Sequence, residues 1–253
     1  MKTFKSFIKF IVIFSVLLAF AGFFIVRQLN TQDLVVVEDA LLEEPSEEVF
    51  IGTIAETARE LAAKNDLYAS VMIAQALLES NFGKSELSVA PNYNLFGMKG
   101  SYKRQSVTFE TLEDDGTGNL STIRADFRQY PSYKASLQDY VTLLRKGVSW
   151  NQEFYHSAFK SNASSYKDVT AFLTGTYATD SRYGEKLNAL IAQYDLQQYD
   201  QKVKSKTTIT IEADTSVTQI AQNHSIKETS LKQWNQLSNN RLEAGQQLHI
   251  FQY

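Results

Sequence analysis

The sequence predicts an α+β protein. A mainly helical domain with a small β-hairpin lobe is followed by a compact α/β module and preceded by one transmembrane helix. Three observations predict this. Apolar residues fall at helical spacing from Phe50 to Tyr194, interrupted between Pro91 and Pro131 by glycines and two alternating strands. The tail from Thr208 reads strand, helix, helix, strand. Near the N-terminus, Phe10 to Val26 is apolar except for small Ser15 and Gly22.

That apolar run, extended by Phe7 and Ile8, approaches the roughly 20 residues needed to cross a bilayer. Lys2, Lys5 and Lys9 precede it, and Arg27 and an acidic segment follow. The positive-inside rule places the short N-terminus in the cytoplasm and everything after Val26 outside. A signal peptide cleaved near Ala21 is the competing reading, since Ala19-Phe20-Ala21 has the small-x-small pattern. The run continues through Phe23-Phe24-Ile25-Val26 past that site, which favours an uncleaved single-pass anchor in the cell membrane. Residues 1–27 are therefore assigned to the tail and anchor, and 28–48 to an acidic linker.

The catalytic-domain candidate spans 49–198. Ile54, Ala58 and Leu61 share one face of its first helix. Asn65-Asp66 is the expected cap of the next helix, whose Leu67, Val71, Ala74, Leu77 and Leu78 are joined by apolar Met72, Ile73 and Ala76. A helix apolar on most sides is central and buried. It ends near Glu79 to Gly83. Ser106 to Glu113 alternates as a strand, residues 114–119 form an Asp/Gly/Asn turn, and Leu120 to Tyr130 returns. Further helices are expected over Tyr133 to Lys146, Tyr155 to Lys160, Tyr166 to Gly175 and Tyr183 to Tyr194. Residues 199–207 read as a polar linker. The module at 208–253 has strands at Thr208 to Ile211 and Gln247 to Phe251, with helices at Ser216 to His224 and Lys227 to Gln236.

Composition removes several functions. The net charge of -3 gives no support for nucleic-acid binding. With no cysteine there is no disulfide, thiolate nucleophile or Cys-based zinc site. His156, His224 and His249 show no metal-ligand spacing, and no metal or organic cofactor is implied.

Glu79 carries the chemistry. It sits at the end of the apolar helix, poorly solvated and at the negative end of the helix dipole. Both effects disfavour the carboxylate and raise its pKa. A general acid for work near neutral pH is made this way. Taken alone, a glutamate at a helix end is ordinary surface, so the neighbouring motifs decide.

Three segments supply them: QALLESNFGKSEL at 75–87, NLFGMKG at 94–100 with FRQYPSYKASLQDY at 127–140, and YATDSRYGEKL at 177–187. In order and spacing they make residues 50 to 198 resemble the glucosaminidase domain of glycoside hydrolase family 73, bacterial enzymes that cut peptidoglycan. The resemblance implies a lysozyme-like fold and an endo-β-N-acetylglucosaminidase. It assigns the catalytic acid to Glu79 and a second carboxylate on the β-lobe to Glu113. Strand alternation puts Glu113 on the face of Phe109 and Thr111, with Glu110 on the other. Glu110, Asp114 and Asp126 are the rivals. If the substrate's own N-acetyl group is the nucleophile, Tyr177, also a site residue by resemblance, would orient it. Asn94 and Phe96 are candidates for lining the sugar cleft, and Asp180 and Tyr183 either bind substrate or hold the turn that presents Tyr177.

The segment 209–251 resembles a LysM module, a small binder of N-acetylglucosamine-containing glycans. Asp214, Thr215 and Asn235 fall at its usual glycan-contacting positions. Ala213 departs from the glycine common before Asp-Thr, and Trp234 is expected in the core. The implied partners are peptidoglycan glycan strands and, through the anchor, the cytoplasmic membrane. A muramidase or lytic transglycosylase on the same fold, and a non-catalytic wall-binding scaffold, are the alternatives.

Overall fold

The computed structural model describes residues 46–114, 120–212 and 215–253. The expected membrane segment, the hairpin tip, Ala213 and Asp214 lie outside the described residues, as do the side chains of 112–114 and 120. Among the described residues no helix is long and apolar enough to cross a membrane.

Helix α1 spans Glu47–Lys64 and begins before the apolar stripe does. Glu47 and Glu48 occupy its first turn, where carboxylates suit the dipole. Helix α2 is Ala69–Glu79, and its residues from Ala69 to Leu77 are all buried. The expected cap at Asn65-Asp66 is not what holds α2. Asn65 terminates α1, and Asp66 turns the chain at a φ of 58°. The first-turn donor, the Ser70 N–H, is instead accepted by Asp200 Oδ1 at 3.0 Å, from 130 residues away. A tertiary contact replaces the local one, which no local pattern announces.

Strands β1, Ser106–Asp114, and β2, Leu120–Arg128, pair antiparallel with Glu110 opposite Arg124 and Glu113 opposite Ser121. Helix α3, Tyr133–Lys146, starts at Ser132, whose side chain accepts from Ala135 N. The expected helix near Tyr155 to Lys160 is two short 3-10 turns, His156–Ala158 and Lys160–Asn162. Helices α4, Tyr166–Leu173, and α5, Tyr183–Gln193, complete the helical body. One core cluster joins α1 to α5 and continues to Leu196 and Tyr199. The supposed linker at 199–207 thus begins inside the core: Tyr199 is 1% exposed within a 3-10 turn, Leu196–Asp200.

The tail forms β3, Ser205–Thr210, α6, Val217–Asn223, α7, Glu228–Asn235, and β4, Gln247–Gln252. Strands β3 and β4 pair antiparallel, in the predicted order. This unit has its own core of Ile211, Val217, Ile220, Leu231, Leu237, Leu248 and Ile250, with Trp234 packed against both cores.

The two units are joined by more than the chain. Gln233 of α7 is fully buried: its Oε1 accepts from Gln198 Nε2 and the Tyr199 hydroxyl, and its Nε2 donates to Tyr194 O. Arg59 of α1 donates to Gln198 O, Gln201 O and the Tyr253 hydroxyl, and its guanidinium lies 4.9 Å and 4.6 Å from the Tyr199 and Tyr253 ring centroids. Gly52 permits the approach of α7, since a Cβ there would lie 2.1 Å from Gln233 O. Lys227 pairs with Asp195 at 2.7 Å across the same junction.

Candidate active site

Helix α2 delivers Glu79 as its last residue, and the next four residues fix that end. Ser80 is fully buried; its Oγ donates to Ala76 O and accepts from Gly83 N at 2.7 Å. Asn81, Phe82 and Gly83 follow at φ values of 50°, 56° and 75°. Three successive left-handed residues end the helix sharply. Gly83 has a second reason to be glycine, because a Cβ would sit 2.3 Å from the Phe50 ring.

Glu79 is half-buried while its helix is buried. Its pKa is raised to about 8, because burial outweighs the Tyr183 hydrogen bond and the Lys186 charge, which both pull it down. The Tyr183 hydroxyl donates to Glu79 Oε1 at 2.7 Å and accepts from Gln75 Nε2 at 3.0 Å. Gln75 Oε1 accepts in turn from the Tyr140 hydroxyl. Gln75 is one helical turn before Glu79, so both side chains lie along one side of α2. Tyr140 and Tyr183 are 1% and 0% exposed, and burial raises the pKa of both. They remain neutral donors.

Tyr177 lies in the turn between α4 and α5, not on a helix. Its ring stacks against Tyr183 with centroids 6.1 Å apart, and its hydroxyl donates to Phe96 O at 3.4 Å. Burial, then the Glu79 charge, raises its pKa. Tyr177 and Tyr183 therefore both belong to the surroundings of Glu79.

Tyr183 is a buried partner of the carboxyl group and not an open cleft wall. Asp180 shapes the preceding turn by accepting from Arg182 N at 2.9 Å and Lys186 Nζ at 2.5 Å.

Asn94 and Phe96, expected at the cleft, are in the interior instead. Asn94 Nδ2 donates to Met98 O and Arg128 O, and its Oδ1 accepts from Met98 N. Phe96 is fully buried and stacks on Tyr140 at 4.2 Å. The NLFGMKG motif is thus a socket for the hairpin base: Arg128 N donates to Met98 O and Gly100 N to Asp126 O. The aromatic and amide side chains that suggest sugar contact serve equally to bury a tight turn.

The side chain of Glu113 lies outside the described residues, as does that of Asp114. On the hairpin, Val107, Phe109 and Thr111 share the more covered face and Glu110 is exposed on the other. Asp126 lies with Glu110, accepting from Thr108 Oγ1 at 2.7 Å. In the tail, Asp214 is outside the described residues and Thr215 is half-buried. Asn235 is engaged inside the module: its Nδ2 donates to Leu231 O and His249 O, and its Oδ1 accepts from His249 N. A glycan at Asn235 would have to displace hydrogen bonds to β4.

Sequence reasoning missed Gln75 and Tyr140 as members of this site. Gln75 was visible as the one polar residue within the apolar run from Val71 to Leu78. A buried amide needs partners, and that signal pointed to it.

The sequence profile of the glucosaminidase family, described as mannosyl-glycoprotein endo-beta-N-acetylglucosaminidase, matches residues 55–196. The chain belongs to the glucosaminidase family. A LysM domain profile matches 209–251. The catalytic domain of the autolysin Auto from Listeria monocytogenes is 53% identical, with a TM-score of 0.59 over 64% of this chain and 92% of that one. The autolysin of Enterococcus faecalis is 40% identical over 82% of this chain and 31% of its own length. A probable N-acetylmuramidase of Lactococcus lactis subsp. cremoris is 50% identical over 61% of this chain and 35% of its own. The chain spans about a third of the length of these curated relatives. This glucosaminidase-family chain therefore carries the family's domain across the residues that surround Glu79, with a LysM unit after it.

Proposed function

We propose that this protein hydrolyses the β-1,4 glycosidic bonds of peptidoglycan as an endo-β-N-acetylglucosaminidase, with Glu79 as general acid. The observation that carries the reading is the half-buried carboxyl at the end of α2, with its pKa at about 8. At neutral pH this group still holds a proton to give. Glu79 transfers that proton to the glycosidic oxygen as the bond from C1 breaks, and water completes the hydrolysis at C1. The family to which residues 55–196 belong supports the glucosaminidase bond.

Two groups are candidates to complete the chemistry. Glu113 would activate water from the hairpin. Tyr177, beside Tyr183, would orient the substrate's acetamido group for attack on C1. Carboxylates held roughly 6.5–9.5 Å apart invert the anomeric centre, and attack by the acetamido oxygen retains it. The initial anomer of the product, read by proton NMR, is the first test: inversion supports Glu113 as the base that activates water. Retention leaves the acetamido group with Tyr177 or Glu113 itself as nucleophile, and a trapped glycosyl-enzyme on Glu113 separates those two.

A muramidase is the second reading, supported by the Lactococcus relative named a probable N-acetylmuramidase. Mass analysis of a cell-wall digest decides between the bonds. Reducing-end N-acetylglucosamine is expected; reducing-end or anhydro N-acetylmuramic acid contradicts the glucosaminidase assignment.

The LysM unit is proposed to hold glycan near the cleft. The junction at Gln233 and Arg59 supports a fixed placement of that unit, which would raise the local concentration of glycan. The N-terminal apolar segment is proposed to anchor the protein at the outer face of the membrane. Release of the protein only by detergent tests this. Recovery in the soluble fraction, with a new N-terminus near Gly22, contradicts it.

A further inference from the structure

We propose that Tyr140, Gln75 and Tyr183 form a one-way hydrogen-bond relay that confines the acid proton of Glu79 to Oε2. The inference rests on the reading of Glu79 as the acid and adds the means by which its proton is placed. The three residues come from α3, α2 and α5, so the relay is a tertiary construction.

Its direction follows from donor and acceptor inventories. The Tyr140 hydroxyl is buried, and its hydrogen goes to Gln75 Oε1. This fixes the orientation of the Gln75 amide. The reversed amide would present NH2 to Tyr140 and leave the buried Tyr140 hydrogen without this acceptor. With the amide so oriented, Gln75 Nε2 faces the Tyr183 oxygen at 3.0 Å and can only donate to it. The Tyr183 hydrogen is then directed to Glu79 Oε1 at 2.7 Å. An oxygen that receives this hydrogen is the poorer place for a second one. The neutral carboxyl group therefore carries its proton on Oε2, the oxygen not engaged by Tyr183.

The relay has two consequences for the reaction. Before proton transfer, it removes the protonation isomer that would direct the hydrogen back into the core. After transfer, Glu79 is a carboxylate, and a donor already aimed at Oε1 stabilises it without reorganisation. Gln75, Tyr140 and Tyr183 are positioning residues in this scheme. Among the described residues, the titratable groups that interact with Glu79 are Tyr183 and Lys186 from α5, Tyr177 from the preceding turn and Tyr140 from α3. Of these, Lys186 is the cation, and it lies outside the relay.

The test is a direct titration of the Glu79 carboxyl carbon by 13C NMR in the full-length protein, in wild type, Tyr183→Phe and Tyr140→Phe. Both substitutions keep the ring, and the thermal midpoint of each variant confirms folding. Tyr183→Phe is expected to raise the Glu79 midpoint by about one unit, because the carboxylate loses a donor. Tyr140→Phe is expected to move it in the same direction by a smaller amount. With Tyr140 silent, the amide of Gln75 is free to rotate and take the Tyr183 hydrogen. In kinetics, Tyr140→Phe should lower kcat about fivefold with KM unchanged. A midpoint unmoved by Tyr140→Phe overturns the relay, and one unmoved by Tyr183→Phe overturns its last link. Hydrolysis by the wild type is measured alongside. Active wild type with unmoved midpoints contradicts the relay alone. Inactive wild type with shifted midpoints contradicts the functional reading alone.

Discussion

Tyr183 donates its hydroxyl hydrogen to Glu79 Oε1 at 2.7 Å, so the candidate acid takes its hydrogen bond from a neutral donor. Burial raises the carboxyl pKa to about 8, and the tyrosine limits that rise without reversing it. An arginine in the same place would hold the group ionised and end its use as an acid. The choice of partner sets the chemistry.

The pH dependence of activity follows. A general acid works in its protonated form, so kcat/KM on soluble glycan strands should be maintained through neutral pH and fall above about 8. A profile falling already from pH 5 would mean that Glu79 is ionised in the free enzyme.

Stability should follow the same group. The folded-state pKa lies above the unfolded one, so the folded state binds the proton more tightly. Stability is full below about 4.5 and is lost as pH rises towards 8. Glu79→Gln removes the ionisation and keeps an oxygen for Tyr183. Thermal scans should show the variant more stable than wild type at pH 9, by an amount on the order of a few kcal/mol, and equal to it near pH 4. A difference independent of pH would argue against a buried, titrating Glu79.

Asp200 caps α2 from a distant point in the chain, accepting from the Ser70 N–H. Asp200→Ala should cost about 1 kcal/mol in urea unfolding, the usual scale for a lost cap, and Asp200→Asn should recover most of it. Equal losses in the two variants would show that the oxygen at this position is not what matters.

The junction with the LysM unit gives a test in which two effects oppose. Gly52 is a helical residue of α1, and alanine there would ordinarily favour the helix by up to about 1 kcal/mol. A Cβ would also lie 2.1 Å from the backbone oxygen of Gln233. Gly52→Ala should therefore destabilise the protein and split its calorimetric unfolding into two transitions. A stabilised variant with one transition would show that α7 does not pack on α1 in solution.

The sequence announced the elements whose signals are local. Apolar spacing located α1, α2 and α5, and alternation around the Asp/Gly turn located the hairpin. The same spacing placed Glu79 at the end of a buried helix. What it did not announce depends on residues brought together from far apart. Asp200 caps α2 across 130 positions, and Tyr140 reaches Gln75 across 65. Asn94 and Phe96 were misplaced for a related reason. Their side chains suit a sugar cleft by chemistry, but the turn they build under the hairpin holds them in the interior. Asn235 likewise matched a glycan-contacting position, yet its amide serves β4.

The central claim is that Glu79 supplies the proton that breaks the glycosidic bond. Hydrolysis of purified cell walls by Glu79→Gln, followed by release of reducing sugar, tests it most directly. Folding of the variant is confirmed by its thermal midpoint, and its binding to walls by co-sedimentation. A loss of about a hundredfold or more, with folding and binding intact, is the predicted result. Activity equal to wild type in the folded variant would contradict it.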